Sequence, residues 1–353
     1  MRAVRLHGPC NLRLDDIPEP ERPGPGEVMI GVRAVGICGS DLHTYRNARI
    51  GDTAVPFPLI PGHEFSGIVD DAGELPTDAN GKPLLPGTRV AVDPAQPCGK
   101  CEMCLRGHPN LRTQLHFCGL YPDNGALCER IRVPASTCFP LPDGLDAAAG
   151  AMLEPLGVAL HSVNLARLHK GDSVSVHGGG PIGLLILQAA RLAGAGPLFL
   201  SEPLSWRREL AERFGAVTLD PAAGDVPRAI AGKTGGRGVD VAFEAGWAGP
   251  LAQEAAETVR HGGTVMLVGI PEDDGFTLKH STARRKGLTL LFVRRMKHTY
   301  PEAIRLVERG LVDVASLITH RFPLERAPEA FALNDGYLDR VVKVIIDLRS
   351  RPS

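Results

Sequence analysis

The clearest chemical signal is the stretch SVSVHGGGPIGLLILQAA, which carries Gly178-x-Gly180-x-x-Gly183. It follows a strand-like run and opens an apolar helix, with Pro181 and Ile182 in the first turn. In that setting Gly178 permits a tight turn and Gly180 lets the backbone approach a pyrophosphate. Gly183 allows close helix–strand packing. The helix N-terminus offers free N–H groups and a positive dipole end to the phosphates. Glu202 closes the next strand 19 residues after Gly183, near the spacing at which a carboxylate meets ribose hydroxyls. Such a carboxylate repels a 2′-phosphate, so NAD is expected over NADP. Arg207 and Arg208 weaken that preference, because either could meet a phosphate. Two further candidates are Cys38, in GICGSDLHTY, and His63-Glu64, in PGHEFSG. Alone, each reads as a buried thiol or a histidine in a turn.

The elements that must position these residues fall into two textures. At 353 residues the chain suits two domains. In the first third, short β-runs such as Glu27–Val35, Phe65–Val69 and Thr88–Val92 lie beside Gly or Pro, which predicts an irregular all-β domain. From about Pro155, strands and helices alternate: Ser173–His177, Pro181–Leu192, Pro197–Ser201, Ser205–Phe214, Val239–Glu244, Leu251–Arg260, Thr264–Gly269 and Leu288–Val293. That alternation predicts a doubly wound parallel α/β sheet. The tail adds a helix over Tyr300–Arg309 and a strand over Val341–Asp347. The expected division is 1–155, completed by 295–353, against 156–294. Lysine plus arginine is 39 and aspartate plus glutamate 40, which excludes a broad electrostatic footprint for nucleic acid. The most apolar long stretch, Gly183–Leu200, is interrupted by Gln188 and Arg191, so no membrane span is expected. The N-terminus MRAVRLHGPCNLRLDD lacks the apolar core of a signal peptide. A cytoplasmic, reducing location follows as the expectation, with the cysteines as ligands or buried thiols before disulfides.

Taken together and in order, these motifs resemble the zinc-dependent medium-chain dehydrogenase/reductase superfamily. The resemblance runs from the strand before Cys38 to THRFPLERAPEAF near the C-terminus. It implies a GroES-like catalytic domain and a Rossmann coenzyme domain. It also implies a catalytic zinc held by Cys38, His63 and an acidic third group. Thiolate, imidazole and carboxylate suit zinc, and their charges neutralise it. Alcohol dehydrogenases of the superfamily carry a cysteine where this chain has Glu154, in LEPLGVALHS. The Glu-Pro-Leu segment looks like the sorbitol and polyol dehydrogenases. By that resemblance Glu64 ligates zinc, and Glu154 lies alongside or exchanges with it. Cys38-x-Ser40-Asp41-x-His43, Arg49-Ile50-Gly51-Asp52 and His298-Thr299-Tyr300-Pro301 match the same branch. Arg295 corresponds to an arginine that meets substrate hydroxyls there. Val268, Gly269 and Ile270, with Val293, correspond to positions beside the nicotinamide. The implied reaction moves a hydride from a secondary alcohol of a polyol to NAD. By the same resemblance the hydroxyl proton leaves through Ser40 and a cofactor ribose hydroxyl to His43, a residue type suited to that role. A threonine dehydrogenase-like amino-alcohol oxidoreductase is the alternative enzyme. A dinucleotide-binding protein without activity is the alternative outside enzymes, and such a chain should have lost Cys38, His63 or His43.

The resemblance also exposes a departure. Cys98, Cys101 and Cys104 have the spacing of the superfamily's structural zinc lobe, but its fourth cysteine is replaced by Arg112. A guanidinium offers no lone pair, and structural zinc sites are closed by four ligands. Loss of that zinc is the expectation, with Cys118, His108 or His116 as the alternative fourth ligand. Cys10, Cys128 and Cys138 read as buried thiols. Arg284-Arg285-Lys286 reads as a solvated face. Leu288–Val293 is a candidate edge for a homodimer or homotetramer, and Tyr45 and Phe117 are candidate lining for the pocket of a small alcohol substrate.

Overall fold

The computed structural model describes residues 1–348, so the last five residues of the expected 295–353 segment lie outside the description. The chain forms two compact units, Met1–Glu154 with the segment from Tyr300 onward, and Pro155–Thr299. Arg295 to Thr299 thus fall in the second unit.

The first unit is built on a seven-stranded sheet. Its order is Cys138–Pro140, Arg89–Val92, Glu64–Ala72, Glu27–Gly36, Lys343–Asp347 and Ile318–Pro323, with Arg130–Pro134 also paired to Glu27–Gly36. The ten-residue Glu27–Gly36 strand is central and buried along most of its length. It is rich in Val, Ile and Met, as a strand covered on both faces must be. Its last residue, Gly36, pairs with Glu64 on one side and with Ile345 on the other. The C-terminal strand therefore joins the N-terminal sheet next to the His63-Glu64 turn. The irregular β-structure expected from the frequent turns is there, but the unit is not purely β. Helices occupy Gly39–Asn47, Ala147–Ala151, Tyr300–Glu308 and Ala327–Asp335. Cys38 precedes the first of these, and Asp41 in its first turn accepts the Cys38 N–H at 2.9 Å. That local hydrogen bond satisfies an otherwise orphaned donor at the helix start.

The second unit is a six-stranded sheet in the order Val217–Leu219, Leu198–Ser201, Val174–His177, Val239–Glu244, Val259–Leu267, Thr289–Phe292. Every pairing is parallel. The chain passes from the central strand out to one edge and then crosses to the other side. The dinucleotide-binding crevice of such folds lies at the C-terminal ends of the strands where this reversal occurs, here between Val174–His177 and Val239–Glu244. Two readings of local sequence change. The helix from Leu251 stops at Thr258, because buried Val259 already pairs with Val239 in the sheet. Lys286 is not on a solvated face: its Nζ donates to the carbonyls of Ala256, Glu257 and Val259 at 2.6–3.1 Å. It thereby satisfies the open end of that helix.

Candidate metal centre and dinucleotide site

In the first unit, one ligand atom from each of Cys38, His63 and Glu64 lies within 4.8 Å of the others. Cys38 is supplied by the turn before the Gly39–Asn47 helix, and His63 and Glu64 by the entry to the neighbouring strand. The side chains behind them fix how these donors point. His63 Nδ1 faces Asp41 Oδ1 at 3.4 Å, and Asp41 also accepts the Gly62 N–H at 3.3 Å. Burial alone would depress the His63 imidazolium, but the facing Asp41 carboxylate and the Cys38 sulfur raise it well above its ordinary range. A carboxylate on one ring nitrogen leaves the other to a metal, the usual orientation of a zinc-bound histidine. Ser40 Oγ lies 3.5 Å from His63 Nε2. His43, one turn further along the helix, is buried.

Glu64 has a partner that sequence reasoning missed. Lys343, 1% exposed, forms an ion pair with Glu64 Oε2 and donates to the Ile37 carbonyl at 2.9 Å. The pair forms because Gly36 stands between the two strands: a Cβ there would collide with the Glu64 carboxylate and crowd Lys343. The attraction of Glu64 outweighs burial and holds the Lys343 ammonium above its ordinary pKa. The available signal was a lysine inside VVKVII, since an unpaired lysine in a buried strand is very costly. The donor chemistry, the carboxylate behind His63 and the tight cluster all fit zinc. Glu154 begins the Leu153–Ala166 helix and is buried, but it is not one of the three clustered donors. Of the candidate lining residues, Phe117 packs against His63 with ring centroids 5.3 Å apart. Tyr45 instead packs against Phe331.

The Cys98, Cys101 and Cys104 sulfurs also gather within 4.8 Å, and among the described residues no other Cys, His, Asp or Glu joins them. Arg112 Nη1 donates to the Gln96 carbonyl at 2.6 Å. Cys118 is buried, and burial pushes its thiol up to about 12. His116 Nδ1 faces Asp123 at 3.1 Å. Cys128 and Cys138 are buried as expected, but Cys10 is exposed. It occupies the tight Gly8–Asn11 turn with a positive φ of 53°, and a turn of that kind projects from the surface.

In the second unit the glycine turn has the form a phosphate needs. Gly178 has φ 107°, and any Cβ on Gly183 would collide with the Gly178 carbonyl. Above Gly180 the space is open, with nothing nearer to a Cβ position than Arg207 Nη1 at 3.9 Å. The helix then starts at Pro181 with Ile182 and Gly183 in its first turn. Glu202 is buried and accepts the N–H groups of Gly179 at 2.6 Å and Leu204 at 2.9 Å. Arg207 Nη1 lies 3.9 Å from Glu202 Oε2. Arg208 is committed elsewhere, to the Glu202 and Pro203 carbonyls and to Asp220. Val268 and Gly269 donate to the Glu244 carbonyl at 2.9 and 3.1 Å, and Val293 donates to Leu267 at 2.9 Å. Glu244, not anticipated from sequence, ends its strand beside a cavity of about 500 Å³ lined by Gly269, Ile270 and Phe292. Burial raises its carboxyl to about 7 against the opposing effect of two backbone N–H groups. Arg295 is half-buried with φ 57°.

A cluster of thiol, imidazole and carboxylate in one unit and a dinucleotide-type glycine turn in the other are the two parts that a zinc-dependent alcohol dehydrogenase, in the broad sense, needs. Residues 24–143 match the family model described as alcohol dehydrogenase GroES-like domain, and residues 181–309 the one described as zinc-binding dehydrogenase. Sorbitol dehydrogenase of Bos taurus is 38% identical over 98% of this chain and 96% of its own length. Among solved structures, a zinc-binding dehydrogenase from Sinorhizobium meliloti 1021 bound to NADP is 34% identical, with a TM-score of 0.88 over 98% of this chain and 99% of that one. The 2R,3R-butanediol dehydrogenase from Bacillus subtilis is 32% identical, with a TM-score of 0.86 over 99% of both chains. The chain belongs to the zinc-dependent medium-chain dehydrogenase/reductase superfamily, in its polyol dehydrogenase branch. It is an oxidoreductase whose cofactors are zinc and a nicotinamide dinucleotide, and among the described residues no helix is long and apolar enough to cross a membrane.

Proposed function

We propose that the chain oxidises a secondary hydroxyl of a small polyol to a ketone or ketose, with NAD as hydride acceptor. The observation that carries this reading is the acidic third donor: Glu64 clusters with Cys38 and His63 while Lys343 pairs with its carboxylate. Similarity to sorbitol and butanediol dehydrogenases supports a substrate with more than one hydroxyl. Cys38, His63 and Glu64 would hold the zinc, and Asp41 would fix the His63 tautomer. When bound, zinc acidifies a coordinated hydroxyl from far above neutral towards roughly pH 7. Ser40 would pass on the released proton, and His43, on the same helix, would receive it. Glu154 or Arg295 would meet a vicinal hydroxyl and so favour polyols over simple alcohols.

In the second unit the turn of Gly178, Gly180 and Gly183 would take the pyrophosphate. Val268, Gly269, Ile270 and Val293 would border the nicotinamide, with Arg207 near the adenosine ribose. Glu202 supports NAD over NADP, because a buried carboxylate at the ribose repels an added phosphate and Arg208 is already engaged. We also infer a homodimer or homotetramer formed through the Thr289–Phe292 edge strand, where Phe292 is 69% exposed and an apolar edge calls for a cover. A cytoplasmic location agrees with eight free cysteines. A panel of polyols, simple alcohols and threonine, assayed with NAD and NADP before and after chelation, tests the proposal. Polyol oxidation with NAD that is lost on chelation is the expected outcome. A preference for threonine, or activity unchanged by chelation, overturns it.

A further inference from the structure

The three-thiol loop has no part in the dehydrogenase site, and its geometry suits a different chemistry. Cys98 Sγ and Cys104 Sγ lie 3.9 Å apart, and Cys101 donates its backbone N–H to Cys98 Sγ at 3.3 Å. All three residues are half-exposed. With Arg112 turned to the Gln96 carbonyl, no fourth Cys, His, Asp or Glu among the described residues joins the cluster. We propose that the lobe is a reversible oxidation site, in which Cys98 reacts with a peroxide and Cys104 resolves the product to a Cys98–Cys104 disulfide.

The sulfur separation must shorten from 3.9 Å to about 2.05 Å. Cys98 precedes the short Glu102–Leu105 helix and Cys104 lies within it, so closure requires the two side chains to turn towards one another. In the first step the Cys98 thiolate attacks one peroxide oxygen. An S–O bond forms, the O–O bond breaks and hydroxide leaves, so sulfur is oxidised by two electrons and peroxide is reduced. In the second step Cys104 sulfur attacks Cys98 sulfur. The S–S bond forms, the S–O bond breaks and water leaves with the Cys104 proton. Two thiols and one hydrogen peroxide thus give one disulfide and two waters, and a dithiol reductant reverses the result. Two other classes of cysteine provide internal comparisons. Cys118, Cys128 and Cys138 are buried, whereas Cys10 is exposed on a turn.

The experiment treats the protein as purified with a small excess of hydrogen peroxide, counts free thiols after denaturation and maps the links by mass spectrometry. The free thiols should fall from eight by two, the mapped link should join Cys98 to Cys104, and dithiothreitol should restore both. Cys98 should be modified at least tenfold faster than Cys10. Cys101→Ser should keep the link and Cys104→Ser should lose it, and the wild-type map decides the question alone if either variant fails to fold. The proposal is overturned by an absent link, by a link between other cysteines, by equal rates at Cys10 and Cys98, or by a second zinc per chain that leaves the three thiols unreactive.

Discussion

In the cluster of Cys38 with buried His63 and Glu64, Asp41 stands behind His63 and Lys343 behind Glu64, while Gly36 leaves the room both carboxylate and ammonium need. In the loop from Cys98 to Cys104, three sulfurs are just as close together, but they are half-exposed and the fourth position bonds to backbone instead. Proximity of good donors is therefore common to both. The first cluster, in which Cys38 is half-exposed but His63 and Glu64 are buried, adds fixed orientation and opposite charge behind two of its donors, where burial makes those charges act strongly. The comparison teaches that a metal centre is defined as much by what holds its ligands as by the ligands themselves.

The harshest way to break the comparison is to remove a donor from the first cluster. Cys38→Ser or His63→Ala should lower kcat by at least about 10³-fold, given what a Lewis acid contributes to this chemistry. Dinucleotide binding, followed by fluorescence titration, should persist in both variants. Wild-type turnover in either would end the zinc mechanism. Next in size is Lys343→Met, which strands the Glu64 carboxylate in the interior. Loss of one partner of a buried pair costs about 3–5 kcal/mol, read as a lower denaturation midpoint of the metal-free protein. Added zinc should recover part of that loss by supplying a cation at the same carboxylate. An equal loss with and without zinc would mean that Lys343 does not serve the charge on Glu64.

Smaller again is Asp41→Asn, which keeps the shape and removes the charge behind His63. Zinc affinity, measured by competition with a chelator, should fall about 10–100-fold. An unchanged affinity would show that His63 needs no such support. The mildest test works on the other cluster. Arg112→Cys should restore a fourth sulfur, so that metal analysis finds one more zinc per chain and Tm rises by roughly 2–4 °C. A metal content equal to wild type would place the fault in the loop's conformation and not in its missing ligand.

Much of the second unit could be read directly from sequence, because its signals are local. A parallel strand buried on both faces is a short apolar run, and a phosphate turn is a fixed spacing of glycines. Hence the Val174–His177 strand, the Pro181–Leu192 helix and the role of Gly183 were all legible in one stretch. The resemblance carried Cys38, His63 and Glu64, since their motifs are short and ordered along the chain. The helices of the first unit were less legible. The Gly39–Asn47 helix holds five buried residues, among them Asp41, His43 and Thr44, so no apolar stripe marks it.

The sequence by itself determined the parts that depend on neighbours along the chain: the dinucleotide turn, the donor types and the absence of a cysteine at position 112. Only the tertiary structure decided that Lys343, nearly 280 residues from Glu64, would neutralise it across Gly36. It likewise decided that Lys286 would end a helix and that Cys10 would lie exposed. The physical reason is the same in each case. The energy of a buried charge or a free thiol depends on what surrounds it in space, and strand pairing brings together residues whose separation in sequence carries no information about that meeting.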